Sequence, residues 1–377
     1  MKNVRGAMGH RSASRAATIT VGILAGSMAL AACSSSSSPS TSGGTSGATS
    51  SQKVGVSLIL KTLSNPYFVS MEKDAQTEAA KDNVSLTVAA GKQDGDTQTQ
   101  ISAIDNAISR GDKGILITEN GNAVNTELAK ARAAGLYVIA LDTVPTPAST
   151  VDITYGTDNE AAGKLIGEYT AAKLAGQKAV IAMLDLFNDQ VVSVDVSRDH
   201  GFLEGMGIDP GSTTQNGQEA KSGKYTGGTG GDYVIACHQP TTGAIPGGKT
   251  AMENCLSANP NINVVYTINE PAADGANQAL KAAGKTGVTV VTIDGSCNYV
   301  NGLVKDGTIA ADAAQYPGKM ASIGVKTIAD IARGGTKPTL PAGKDFINTG
   351  TALITSQPIA GITSETPATA AGACWGS

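Results

Sequence analysis

Polar and charged residues recur in this chain directly after short apolar runs. Ser64-Asn65-Pro66-Tyr67-Phe68 follows the first run, Thr118-Glu119-Asn120 the third and Asp142-Thr143 the fourth. Asp185, Arg198, Asn269-Glu270, Asp294 and Gln315 stand at comparable places further on. Carboxylates accept hydrogen bonds from hydroxyl groups, arginine and amides donate to hydroxyl and ring oxygens, and an aromatic face covers C–H surface. The set suits a polyhydroxylated ligand. Singly, Asn and Asp after strands read as helix caps; it is recurrence along one sheet edge that favours a site. Asp142 and Asp294 also allow a second chemistry, glycoside hydrolysis by a secreted carbohydrate-active enzyme. That needs two carboxyl groups flanking one bond, one with a raised pKa.

Other chemistries fit less well. The segment 243–250, GAIPGGKT, has phosphate-loop spacing, with Lys249 where it would meet phosphates. It lies late in the chain in a cysteine-flanked insertion, not after a first strand, and reads as a structural loop. The glycine-rich stretch 223–231 reads as a flexible loop. His10, His200 and His238 are too few and too scattered for a metal cluster, the cysteines lack CxxC spacing, and no GxSxG elbow occurs. No metal or cofactor is expected.

The elements that position the polar tips follow a βαβαβα rhythm. Strands are expected at 54–60, 86–88, 114–117 and 137–141, with helices at 67–81, 98–110 and 123–134 between and after them. The rhythm restarts after Tyr155-Gly156-Thr157, with a helix at 159–174, strands at 179–184, 264–267 and 288–293, and helices near 272–283 and 316–333. Alternation of this kind predicts parallel sheets covered by helices on both faces, hence two doubly wound α/β domains in series. In such sheets ligands bind beyond the carboxyl ends of the strands.

From about Lys53 onward the chain resembles the ribose-type periplasmic sugar-binding proteins that serve ABC importers, of the type I periplasmic binding protein fold. The resemblance rests on Ser64-Asn65-Pro66-Tyr67-Phe68, Val138-Ile139-Ala140-Leu141-Asp142, Arg198-Asp199-His200-Gly201-Phe202, Asn269-Glu270, Ile293-Asp294-Gly295 and Ala314-Gln315-Tyr316-Pro317. It implies a bound monosaccharide, contacts to it from Asn65, Tyr67, Phe68, Asp142, Arg198, Asn269, Asp294 and Gln315, and a permease as partner. It also implies two lobes that close on a multi-stranded hinge: residues 53–157 with about 316–345, and residues 158–315 with about 346–377. Ribose binders typically carry Asn at Thr118 and Arg at Thr143, both lost donors here, and an aromatic residue where this chain has Gly243. The stretch Tyr266–Pro271, with Ile293–Cys297 and Gln315–Pro317, is closer to the fructose-binding branch.

The first 32 residues read as a lipoprotein signal peptide. Lys2, Arg5, Arg11 and Arg15 form a basic head, and the apolar stretch that follows is short for a bilayer span. Leu30-Ala31-Ala32-Cys33 resembles a lipobox, which implies lipidation of Cys33 and anchorage to the outer face of the cell membrane. Residues 33–52 make a Ser/Gly-rich tether. The formal net charge of −4 becomes −8 without the four leader charges, which argues against a nucleic-acid partner. Cys237, Cys255, Cys297 and Cys374 remain for disulfides; three pairings are open, and Cys237–Cys255 with Cys297–Cys374 is preferred because the first closes a local excursion. A monomer is expected.

Overall fold

The computed structural model describes residues 53–376, so the signal segment, Cys33 and nearly all of the tether lie outside the described residues. The chain opens with β1 (Val54–Leu60), α1 (Pro66–Lys81), β2 (Val84–Ala90), α2 (Thr97–Arg110), β3 (Gly114–Ile117), α3 (Asn125–Ala133), β4 (Tyr137–Leu141) and β5 (Ile153–Gly156). It continues through α4 (Asn159–Leu174), β6 (Ala179–Asp185), α5 (Ser193–Met206), β7 (Ser222–Tyr225), β8 (Gly231–Pro240), α6 (Ile245–Ala258) and β9 (Val264–Thr267). Then follow α7 (Glu270–Ala282), β10 (Thr289–Asp294), the short α8 (Cys297–Tyr299), β11 (Ala311–Ala314), α9 (Pro317–Ala332), β12 (Ile347–Asn348), β13 (Ala352–Ile354) and α10 (Pro367–Ala370).

The strands form two sheets, ordered β12-β5-β4-β3-β1-β2 and β13-β11-β10-β9-β6-β8-β7. The first is parallel throughout; in the second only the edge pairs β7–β8 and β11–β13 are antiparallel. Both sheets are buried on two faces, which is why their strands read as apolar runs without alternation. In the first, Leu58, Leu116 and Ile139 face α1 and α9, while Ile59, Ile115 and Val138 face α2 and α3. In the second, Ile181, Met183 and Tyr266 pack on α4 and α5, and Ala182, Leu184 and Val265 on α6 and α7. The expected pair of doubly wound lobes is therefore present. Each has its switch point at the strand that begins it: β1 lies between β2 and β3, and β6 between β8 and β9.

The chain passes between the sheets after β5, after β11 and after β12. The last passage comes slightly later than expected. Ile347 and Asn348 pair with Tyr155 and Gly156 of the first sheet, and only β13 rejoins the second.

Two segments read as loops are ordered structure. Residues 222–225 form β7 against β8, because Tyr225 is buried beneath the hairpin and Lys224 pairs with Asp232 across it at 2.8 Å. GAIPGGKT is the start of α6, not a phosphate loop. Its Gly248 lies against Ala272 of α7, and Gly275 of α7 against the Ile245 carbonyl, so these glycines serve close helix packing while Lys249 faces solvent. The disulfides join Cys237 to Cys255 and Cys297 to Cys374.

Candidate functional site

Asn65 ends the loop after β1 and caps α1, its Oδ1 accepting from the Tyr67 N–H at 2.9 Å; this leaves its amide nitrogen free to face a ligand. Tyr67 and Phe68, in the first turn of α1, meet edge to face with centroids 5.3 Å apart. The Tyr67 hydroxyl donates to Asp142 Oδ1 at 2.9 Å and lies 3.5 Å from Gln315 Oε1, a residue of the other lobe. Burial, then the charges of Asp142 and Asp294, hold its pKa well above the usual phenol value, so it stays a donor.

Arg198 projects from α5 and is braced on two sides: Nε donates to Asn159 Oδ1 at 2.8 Å and one terminal nitrogen to the Ile268 carbonyl at 2.7 Å. That same nitrogen stands 3.6 Å from Asp294 Oδ1. Asp294 ends β10, and Gln315, just past β11, donates to its Oδ1 at 2.9 Å. Burial lifts the Asp294 pKa to about 7 against the pull of Arg198. Asn269 is committed more to structure: Oδ1 caps α7 through the Ala272 N–H, and its amide nitrogen donates to the Gly243 carbonyl at 3.1 Å. Asp142 (φ 69°) and Asp294 (φ 153°) both carry positive φ, so backbone strain falls on two site carboxylates.

All eight residues expected at the site line one narrow cavity of about 50 Å³ between the sheet edges. Lys61, Asp94, Leu186, Val194 and Ile268 line it too, and sequence reasoning missed them. Lys61 matters most. Its backbone N–H donates to Thr118 Oγ1 at 2.8 Å, its ammonium donates to Thr143 Oγ1 at 2.9 Å, and that hydroxyl donates on to Asp142 Oδ2 at 3.1 Å. Thr118 thus fixes the Lys61 backbone, and Thr143 holds the buried ammonium beside the cavity. Burial raises the Asp94 pKa against the pull of Lys61, and raises that of Glu119 to about 7 in the same opposition.

Residues 56–336 match the periplasmic binding protein domain family. The chain belongs to that family. It is 30% identical to the ribose import binding protein RbsB of Escherichia coli (strain K12) over 280 residues, 74% of this chain and 85% of that protein. It is 26% identical to the D-allose-binding periplasmic protein of the same organism over 308 residues, covering 79% and 91% of the two. A crystal structure of an ABC transporter periplasmic solute binding protein from Actinobacillus succinogenes 130z, with bound D-allose, shares the fold at a TM-score of 0.67 and 24% identity, over 80% of this chain and 98% of that one.

One further contact joins the lobes beside the cavity. Trp375 meets Tyr67 edge to face at 5.3 Å, and its indole N–H donates to the Asp294 carbonyl at 2.7 Å. Its neighbour Cys374 is tied to Cys297. The only signal in the sequence was a lone tryptophan next to a cysteine.

Proposed function

We propose that this protein captures a monosaccharide, fructose- or ribose-like, between its two lobes and delivers it unchanged to the permease of an ABC importer. The observation that carries the reading is the cavity itself. Lys61 and Asp142 approach it from the first lobe and Arg198 and Asp294 from the second, with Tyr67 and Phe68 as the aromatic wall. Paired charges and amides meet hydroxyl groups, and the ring faces meet C–H surface. Lys61, with its ammonium set by Thr143, offers a charged donor to a sugar hydroxyl from the first-lobe side. Leu30-Ala31-Ala32-Cys33 and the tether support lipidation of Cys33, which holds a monomeric domain at the outer face of the cell membrane; two acyl chains suffice for stable anchorage.

Calorimetry against a panel of ketoses and aldoses, with chromatography of the sugar afterwards, tests the reading. One sugar is expected to bind one to one and return intact. Conversion of that sugar would instead establish the hydrolase chemistry of Asp142 and Asp294, and absence of any sugar binding would remove the proposal.

A further inference from the structure

Away from the cavity, the second lobe buries another group of ionisable side chains. Asp185 ends β6, Asp199 lies on α5, His238 on β8, and Glu219 just before β7. Asp199 is fully buried, and Asp185 and Glu219 are each 4% exposed. Asp195, one turn before Asp199, is committed to the backbone N–H groups of Leu186 and Phe187 at 2.9 and 3.4 Å. The other three carboxylates are less well served. Neither oxygen of Asp199 has a hydrogen-bond partner among the described residues, and the same holds for Asp185 Oδ1 and Glu219 Oε2.

Buried carboxylates are costly unless a cation stands beside them. The neighbouring cations are largely committed elsewhere. Arg198 is spent on Asn159 and Ile268, Lys221 reaches Glu219 Oε1 at 3.2 Å and the Gly217 carbonyl at 3.4 Å from the exposed side, and His200, 4.0 Å from Asp199, bonds the Gln215 carbonyl. That leaves His238, whose Nε2 lies 3.1 Å from Glu219 Oε1. Its Nδ1 lies 2.7 Å from Asp185 Oδ2, a hydrogen bond that the protonated ring donates, and 4.0 Å from Asp199 Oδ2; a bound cation takes the place of that Nδ1 proton.

The geometry points to a divalent-cation site formed by Asp185, Asp199 and His238, one ligand atom from each lying within 4.8 Å of the others. One imidazole nitrogen and two carboxylate oxygens form a donor set for a first-row cation such as Zn²⁺; Ca²⁺ and Mg²⁺ take oxygen ligands. Glu219 supplies the outer carboxylate that commonly orients a metal-bound histidine. A cleft of about 400 Å³, lined by Asp185, His238 and Asn216 among others, gives access from solvent and room for a water ligand. Sequence spacing hid the site because its ligands come from β6, α5 and β8, with only one histidine among them. The ion would clamp those three elements together, and α5 also carries Arg198, one residue before Asp199.

The test is calorimetric titration of the purified, chelator-treated protein with Zn²⁺, followed by desalting and metal analysis. One equivalent is expected to stay bound. Asp199→Asn and His238→Gln should lose it, and Glu219→Gln, which keeps all three ligands, should weaken it by about 10–100-fold. Co²⁺ in place of Zn²⁺ should give a ligand-field spectrum with wild type that both ligand variants lack. If untouched wild-type protein takes up no Zn²⁺, the cluster is a nest of ion pairs around a protonated His238 and the proposal fails. It fails equally if folded Asp199→Asn and His238→Gln bind the ion as tightly as wild type.

Discussion

Asp294 has a charge state that ordinary pH changes can alter. Its pKa is raised by burial to about 7, so the folded protein holds a proton there that the unfolded chain has released above about pH 4. Its contribution to stability is therefore complete below about pH 4 and lost as pH rises through about 7. Sugar binding has the opposite slope, because a hydroxyl donating to the carboxylate favours the ionised form. Affinity should tighten between about pH 6 and about pH 8 and then level off. Titrations across that range check it, with Asp294→Asn expected to bind weakly and lose the slope. Lys61→Met should weaken sugar binding by about 10-fold or more, since a charge-assisted bond is worth about 1.5–3 kcal/mol. Unchanged affinity would reduce Lys61 to a brace for Asp142. Asn65, Asp142, Asn269, Asp294 and Gln315 were legible because the buried strands just before them were plain in the sequence. Lys61 was not: Thr118 and Thr143, which fix it, lie 57 and 82 positions away, and a lone lysine after a strand looks like a solvated surface charge.

Among the elements, α5 was the hardest to read and does the most to place Arg198. Eleven of its fourteen residues are buried, polar ones included, so it shows no single apolar stripe of the kind that marks a surface helix. Helices with one outward face, such as α1 and α7, announced themselves through capping asparagines and an early proline. The β7–β8 hairpin was missed because its turn glycines outweigh the short, mostly exposed β7. What holds α5 is a close crossing with α4. A methyl group on Gly201 would run into the Glu160 carbonyl, and one on Gly163 into the Arg198 carbonyl. Gly201→Ala is accordingly expected to destabilise by about 1–3 kcal/mol despite alanine's better helix propensity, because the overlap is with backbone. Urea unfolding measures that cost. Sugar titration of the same variant should show weaker binding, as the displaced α5 takes Arg198 with it. A variant as stable as wild type, with equal affinity, would mean the helices can separate freely.

For the whole molecule, the lobes meet across the cavity through few bonds. Ser193 Oγ donates to the Val144 carbonyl at 3.0 Å, Tyr67 reaches Gln315, and Trp375 lies against Tyr67. With so little holding them, a sugar touching both sides has the differential affinity that a population shift requires; moving from 1:99 to 99:1 takes about 5.5 kcal/mol. Small-angle scattering should show the radius of gyration fall when the cognate sugar is added, and no change at saturation would refute closure. Ser193→Ala should shift the unliganded protein toward the larger radius. The three passages of the chain between the sheets also bear on how the protein comes into being. The first lobe takes α9 and β12 from residues 317–348, after nearly all of the second lobe has been laid down. A chain emerging amino end first, from a ribosome or a membrane pore, exposes the α9-facing side of its first sheet until those residues arrive. Residues 53–157 must therefore wait, incompletely covered, for residues 317–348, and whatever shields them during that interval decides the yield.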